Sequence, residues 1–326
     1  MGVMRADNPK LVKAALDAGM KHLDTAFVYQ NGQNEKMLGE VLQEYERDSY
    51  TIATKIYMPQ DKETNLFTNE ATTEKFLEQL NTSLERLKLD YVDILYLHST
   101  KNREATLHEP MLEGLRKAKE QGKTRFVGVS THRNEPEVIQ AAIDSEFYDV
   151  VLTAYNFQQK NLVDVKSAIK KASDAGIGVV VMKTMAGGFL DKERTKPVNA
   201  TAALKWALAD ENAHTSIPGF TSYDELEECL SVVKKLKLNR KEKKFLQNND
   251  SGSLYCPGCD ECIDKCRKTL PIPDLMRAYM YAYGYKDLAL SRQLLASLDV
   301  PKNVCSDCSI CTTSCAKDFD IRAKIM

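Results

Sequence analysis

The chain has 326 residues, enough for one large domain or two ordinary ones. Its 45 Lys and Arg against 46 Asp and Glu leave a formal charge of −1, which excludes the basic footprint of a nucleic-acid binder. Hydrophobic residues at 43% and charged residues at 28% exclude a disordered chain, and no apolar run approaches the roughly 18 residues that cross a bilayer.

Taken in chain order, the first 250 residues alternate strand and helix. Gly2 to Met4 is the remnant of a strand, followed by an amphipathic helix from about Asn8. The strand candidates are Lys21 to Ala26, Thr51 to Lys55, Val92 to Leu97, Arg125 to Ser130, Val150 to Thr153, Gly178 to Met182 and Thr215 to Ile217. Helical spacing fills the intervals. Thr72 to Leu87 carries Phe76, Leu80, Leu84 and Leu87 on one face, Met111 to Gln121 stops at Gly122, and a last helix runs Tyr223 to Leu236. Strands that read as continuous apolar runs are buried on both faces, and crossover helices force parallel pairing. Eight such units of about 30 residues predict an α/β fold of the (β/α)8 TIM-barrel type. A doubly wound sheet is the alternative, but no G-x-G-x-x-G follows any strand. The short opening segment predicts a barrel truncated near its first strand, with imperfect closure between the first and last strands as the alternative. No signal sequence is in view, so a cytoplasmic location is expected, with an upstream twin-arginine segment left open by the truncation.

Barrels keep their chemistry at the carboxyl ends of strands. Here Asp24, Lys55 and His98 stand at three successive ends, and Tyr29 follows Asp24 in the loop. Each alone has a bland reading as a cap, a solvated cation, loop packing or a core histidine. Together they make a proton-donating device for carbonyl reduction. A phenol with an ordinary pKa of about 10 needs a neighbouring cation to give up its proton near neutrality. Lys55 supplies that cation, Asp24 holds the ammonium, Tyr29 is the acid, and His98 orients the carbonyl oxygen.

The order and spacing of Asp24-Thr25-Ala26 with Tyr29, of Lys55 after Ile52-Ala53-Thr54, and of Asp93 to His98 resemble the aldo-keto reductase superfamily, over roughly residues 1 to 237. The resemblance implies NAD(P)H bound across the barrel mouth and a small aldehyde or ketone substrate. Gly128-Val129-Ser130 resembles the strand end whose serine holds the nicotinamide carboxamide, with Thr131 in place of the family's usual asparagine. Met182 stands near its nicotinamide-stacking aromatic. Ile217 and the stretch Pro218, Gly219, Phe220, Thr221 and Ser222 resemble its adenosine-phosphate loop. Gly219 and Glu225 replace the Lys and Arg of NADP-preferring relatives, so NADH is the expected partner.

Eight of the nine cysteines fall after residue 250. Cys256, Cys259, Cys262 and Cys266 read C-x2-C-x2-C-x3-C, and Cys305, Cys308, Cys311 and Cys315 repeat it. That run is the bacterial [4Fe-4S] ligand spacing, with zinc as the alternative. Helical stretches from Pro271 to Tyr283 and from Lys286 to Leu298 join the two runs. Residues 251–326, after a barrel of residues 1–250, therefore resemble an α-helical dicluster ferredoxin domain. That resemblance implies two [4Fe-4S] clusters, each with three ligands from one run and a fourth from the other, Cys266 and Cys315 being exchanged. A nicotinamide delivers two electrons and a cluster takes one, with no flavin motif to divide them. Three roles for the clusters are then open: a structural plug in place of the family's C-terminal substrate loop, electron exchange with an external ferredoxin or flavoprotein as partner, or the sensing of oxidants. The reading from another class is a redox-sensing or electron-transfer protein whose barrel is catalytically weak.

Overall fold

The computed structural model describes residues 1–190, 195–248, 256, 258, 261–298, 300–301, 303–306, 308–315 and 319–326. The expected domain boundary at 250 and the ligand Cys259 lie outside them. Seven parallel strands follow one another in chain order around a single sheet: β1 (His22–Asp24), β2 (Thr51–Ile56), β3 (Val92–Leu97), β4 (Thr124–Thr131), β5 (Val150–Ala154), β6 (Gly178–Met182) and β7 (Thr215–Ser216). They match the runs read from sequence, so the sheet is that of a (β/α)8 barrel-like fold and not a doubly wound one. A doubly wound sheet would break the sequential order at a switch point.

The residues that open the chain join both edges of the sheet. Val3 N donates to Asp24 O and Asp24 N to Met1 O, at 3.0 and 2.9 Å, while Gly2 N reaches Pro218 O at 3.0 Å beyond β7. A side chain at Gly2 would put Cβ 2.9 Å from Ile217 O, so this close approach requires glycine.

Side chains alternate along each strand, and one set fills the inside of the ring: Ala53, Tyr96, Val150, Leu152 and Val180, with Ile94, Met182 and Ile217 beside them. The register pairs Lys55 with Tyr96 and Tyr96 with Gly128, so Lys55 shares the inward face with Ala53. The helices in chain order are α1 (Pro9–Asp17), α2 (Gln33–Leu42), α3 (Thr73–Leu87), the single turn α4 (Arg103–Thr106), α5 (Glu109–Glu120), α6 (Glu135–Asp144), α7 (Leu162–Asp174), α8 (Ala200–Leu208) and α9 (Tyr223–Lys234). Of these α3 packs on β2, α5 on β3 and β4, and α6 on β4 and β5. Helix α3 shows why they form. Thr72 caps its first turn by accepting from Lys75 N, Phe76, Leu80, Leu84 and Leu87 lie on its buried face, and the left-handed Lys88 ends it.

Two compact units emerge. The first comprises Met1–Tyr155, Val163–Met182 and Ala207–Lys237, and so holds the strands. The second comprises Asn156–Leu162, Lys183–Trp206 and Leu238–Met326. It includes α10 (Arg240–Asn248), α11 (Ile272–Tyr279), a π-turn at Met280–Gly284, α12 (Leu288–Ser297) and α13 (Ile321–Ile325). Pro271 and Pro273 open α11, where missing N–H groups cost nothing. Within this unit Gly284 packs backbone to backbone on Gly187, and the buried pair Lys205–Glu242 closes at 2.8 Å. Among the described residues no helix is long and apolar enough to cross a membrane.

Candidate functional site

The carboxyl ends of β1, β2 and β3 bring Asp24, Lys55 and His98 together, as strand geometry demands. Lys55 and Asp24 are both 1% exposed and form an ion pair through Lys55 Nζ and Asp24 Oδ1. Lys55 Nζ also donates to Thr25 O at 2.6 Å and stands 3.5 Å from the Tyr29 hydroxyl. The His98 ring is edge-on to Tyr29, with centroids 6.1 Å apart. All four sequence-predicted groups therefore share one corner of the barrel mouth.

Burial opposes both charges of the pair: it pushes the Asp24 carboxyl above its ordinary range and draws the Lys55 ammonium below its own. Their mutual attraction works against that, with the Glu35 carboxylate adding to it at Lys55. The result is a cation less basic than a solvated lysine, set against a phenol.

The turn that carries Tyr29 is unusual. Gln30 and Asn31 adopt φ of 50° and 53°, and Gly32 follows at 83°, three left-handed residues in succession before α2. Tyr57, which sequence reasoning missed, lies edge-on to His98 with centroids 6.0 Å apart. The signal was available, since Tyr57 follows Lys55 by the two-residue period of a strand.

The expected cofactor contacts lie at the later strand ends. Ser130 Oγ accepts from Ser99 N at 2.9 Å, bracing the residue after His98. The Thr131 hydroxyl is 2.8 Å from Thr100 O and 2.7 Å from Arg133 O. Met182 is half-buried against the interior of the ring. Beyond β7, Pro218 holds the Gly2 amide, Gly219 is exposed and Phe220 is buried. Ser222 caps α9 by accepting from Glu225 N, and Glu225 Oε2 accepts from Thr221 N and Thr221 Oγ1 at 2.7 and 3.2 Å. A carboxylate thus sits at the helix N-terminus where a phosphate was expected.

Cys229 is buried in α9 of the first unit, while seven described cysteines, Cys256, Cys262, Cys266, Cys305, Cys308, Cys311 and Cys315, lie in the second. Cys262 and Cys305 belong to its apolar core with Leu270, Ile272, Leu275 and Met276, and Cys256, Cys266 and Cys315 pack against that core. One small cavity is lined by Cys266 from the first run together with Cys305, Cys308 and Cys311 from the second, walled by Leu270 and Ile272. Burial, then its thiol neighbours, pushes the Cys305 thiol up. Among the described residues no three His, Cys, Asp or Glu side chains form a site for a single metal ion.

Comparison with known proteins agrees with the barrel. The model of the aldo/keto reductase family matches residues 2–201. The chain is 27% identical over 265 residues to L-galactose dehydrogenase of Arabidopsis thaliana, covering 72% of this chain and 80% of that one. It is 27% identical over 245 residues to a methylglyoxal reductase of Salmonella typhimurium, covering 71% and 84%. In fold it resembles the holo form of an aldo-keto reductase from Bacillus halodurans, with a TM-score of 0.62 and 20% identity over 79% of this chain and 93% of that one.

Proposed function

Because the chain belongs to the aldo/keto reductase family, and is therefore an oxidoreductase, we propose that it reduces a small aldehyde or ketone to an alcohol with NAD(P)H. The observation that carries this reading is the Tyr29 hydroxyl 3.5 Å from a buried, Asp24-paired Lys55 ammonium, with His98 beside it. A reduced nicotinamide, when bound, supplies hydride to the carbonyl carbon. Tyr29 donates its phenolic proton to the carbonyl oxygen. Lys55 stabilises the negative charge left on the phenol oxygen, and Asp24 keeps the ammonium in place. His98 hydrogen-bonds the carbonyl oxygen and fixes its approach.

The donor set at α9 fits an adenosine whose ribose carries free hydroxyls. Glu225 is acceptor-only when ionised, so it can take a ribose hydroxyl and repels a 2′-phosphate. NADH is therefore the proposed reductant, with Gly219, Thr221 and Ser222 beside the adenosine and Ser130, Thr131 and Met182 beside the nicotinamide.

The thiols also fit a larger group. Four cysteines around one apolar-walled cavity, three from one run and the last from the other, suit a [4Fe-4S] cluster with Cys266 as the exchanged ligand. A second cluster is assigned to Cys256, Cys259, Cys262 and Cys315. Such clusters accept and release one electron at a time, so a ferredoxin or flavoprotein, and not the nicotinamide, is the proposed partner for them. Residues 251–326 are then a ferredoxin-type domain after a barrel of residues 1–250, and a cytoplasmic location suits oxygen-sensitive iron.

Anaerobic turnover with NADH and NADPH across a panel of aldehydes and ketones tests the enzyme directly. Tyr29→Phe is expected to lower kcat by about tenfold or more, with the nicotinamide Kd nearly unchanged, because it removes the proton and leaves the ring. Wild-type turnover in that variant would remove Tyr29 from the role.

A further inference from the structure

The four-residue device leaves one question open: what holds Tyr29 in a turn whose next three residues are all left-handed? The turn does not hold itself, because neither Gln30 nor Asn31 gains the freedom that glycine has at positive φ. Its supports come from elsewhere. Gln30 Nε2 reaches Met4 O and Ala6 O at 3.3 and 3.2 Å, and Asn34 Nδ2 donates to Val3 O at 2.7 Å. The most connected support is Arg86, on α3.

Arg86 Nη1 donates to Phe27 O at 3.0 Å and to Glu35 Oε2 at 3.2 Å, and its guanidinium lies over the Phe27 ring at 4.5 Å. It also packs flat against Gly32, where a Cβ would come within 2.4 Å of Cζ. Phe27 precedes Tyr29 by two residues, and Phe27 N donates to Lys55 O at 3.0 Å. Glu35, fully buried, takes the Thr54 hydroxyl on its other oxygen at 2.7 Å. One guanidinium therefore grips both ends of the turn, at Phe27 and at Gly32, and through Glu35 it reaches the strand residue next to Lys55.

On the reading that Tyr29 is the proton donor, we propose that Arg86 is a positioning residue: with Glu35 it clamps the 27–35 segment so that the Tyr29 hydroxyl stands over Lys55. A planar fork with several donors fits this task and an ammonium does not, because carbonyl, carboxylate, aromatic face and glycine are served at once. The glycine at 32 is then explained twice, by its φ of 83° and by the guanidinium lying on it.

The test uses the full chain under anaerobic conditions, with wild type, Tyr29→Phe, Arg86→Ala, Arg86→Lys and Glu35→Gln in one assay. A displaced acid costs turnover and not binding, so Arg86→Ala is expected to lose about tenfold or more in kcat with the nicotinamide Kd within about twofold. Arg86→Lys should recover little. Millimolar guanidinium should raise kcat of Arg86→Ala several-fold and leave Tyr29→Phe unchanged, a response that general loss of stability does not give. Should Arg86→Ala fail to bind nicotinamide, Glu35→Gln decides. It keeps the Thr54 hydrogen bond, weakens the grip on Arg86 and takes from Lys55 a distant charge whose loss a moved alkaline limb of the pH–rate profile reports. A kcat loss of about threefold or more on the pH plateau is expected. Wild-type kcat in folded Arg86→Ala, or in Glu35→Gln where Arg86→Ala is unusable, overturns the clamp while a Tyr29→Phe loss leaves the proton-donor reading standing. A Tyr29→Phe variant with full turnover sinks both.

Discussion

Burial sets the electrostatics of Lys55 before any substrate arrives. Its ammonium is 1% exposed and draws its stability from Asp24, from Thr25 O and from the more distant Glu35. Desolvation lowers its pKa from the ordinary lysine value, so the proton is lost at a lower pH than from a solvated lysine. The sign of the rate effect follows. Carbonyl reduction needs the ammonium and the phenol proton together, so kcat should fall as pH rises through the Lys55 titration. Alcohol oxidation, which needs a phenolate to receive the proton, should rise over the same interval. Asp24→Asn removes the counter-charge and leaves a buried cation unpaired. Such a break costs about 3–5 kcal/mol of stability in buried pairs, and it should move the alkaline limb of the reduction profile toward lower pH. Initial rates from pH 6 to 10, with urea unfolding alongside, check both; an unmoved limb would mean that Asp24 does not govern Lys55.

At the scale of elements, packing inside the ring explains a glycine that the motif alone did not. Gly128 precedes Ser130 by two residues in the stretch expected to meet the nicotinamide, yet its contacts are with the barrel interior. A Cβ there would lie 2.5 Å from Tyr96 Cδ1 and 2.8 Å from Val150 O, with Tyr96 fully buried. Gly128→Ala should therefore destabilise by about 1–3 kcal/mol through overpacking, and Tyr96→Leu in the same chain should restore only part, because the Val150 carbonyl still crowds the methyl. Chemical unfolding of the two variants decides, and wild-type stability in Gly128→Ala would show that the ring has room to move. The same contrast explains what the sequence could disclose. Strands β2, β3, β5 and β6 are legible because both faces are buried and the residues are β-branched, and Asp24, Lys55 and His98 are legible because a strand end fixes where each points. The Tyr29 turn is not. Its left-handed residues depend on Arg86, 59 positions from the Phe27 carbonyl that it holds, and on an amphipathic helix where an arginine reads as ordinary surface. Pairwise contacts of that separation carry no local signature. The Glu225 carboxylate lay between these extremes: its position after Ser222 announced a helix start, but its place over Thr221 is set by side-chain geometry.

For the molecule as a whole, the stability of the second unit is the open quantity. Its helices α11, α12 and α13 have 8, 10 and 5 residues, lengths at which isolated helices are marginal in water. Their shared core is small and has thiols in it, Cys262 and Cys305 being buried beside Leu270, Ile272 and Leu275. In a small core with thiol ligands, metal binding is itself folding free energy. The proposed clusters should therefore hold this unit together, whatever electrons they carry. The chain provides its own reporter, because its one tryptophan is Trp206, in this unit, with its ring 6.4 Å from that of Phe157. Iron removal by a chelator should shift Trp206 emission to the red. It should also split urea unfolding, so that the fluorescence transition precedes the far-UV transition dominated by the strands and helices of the first unit. Loss of a single thiolate in Cys266→Ser should give the same split at lower iron content. If iron-free protein keeps its Trp206 emission and unfolds in one coincident transition, the thiols are not what secures residues 183–206 to the C-terminal helices. The backbone approach of Gly284 to Gly187 and the Lys205–Glu242 pair would then suffice without metal.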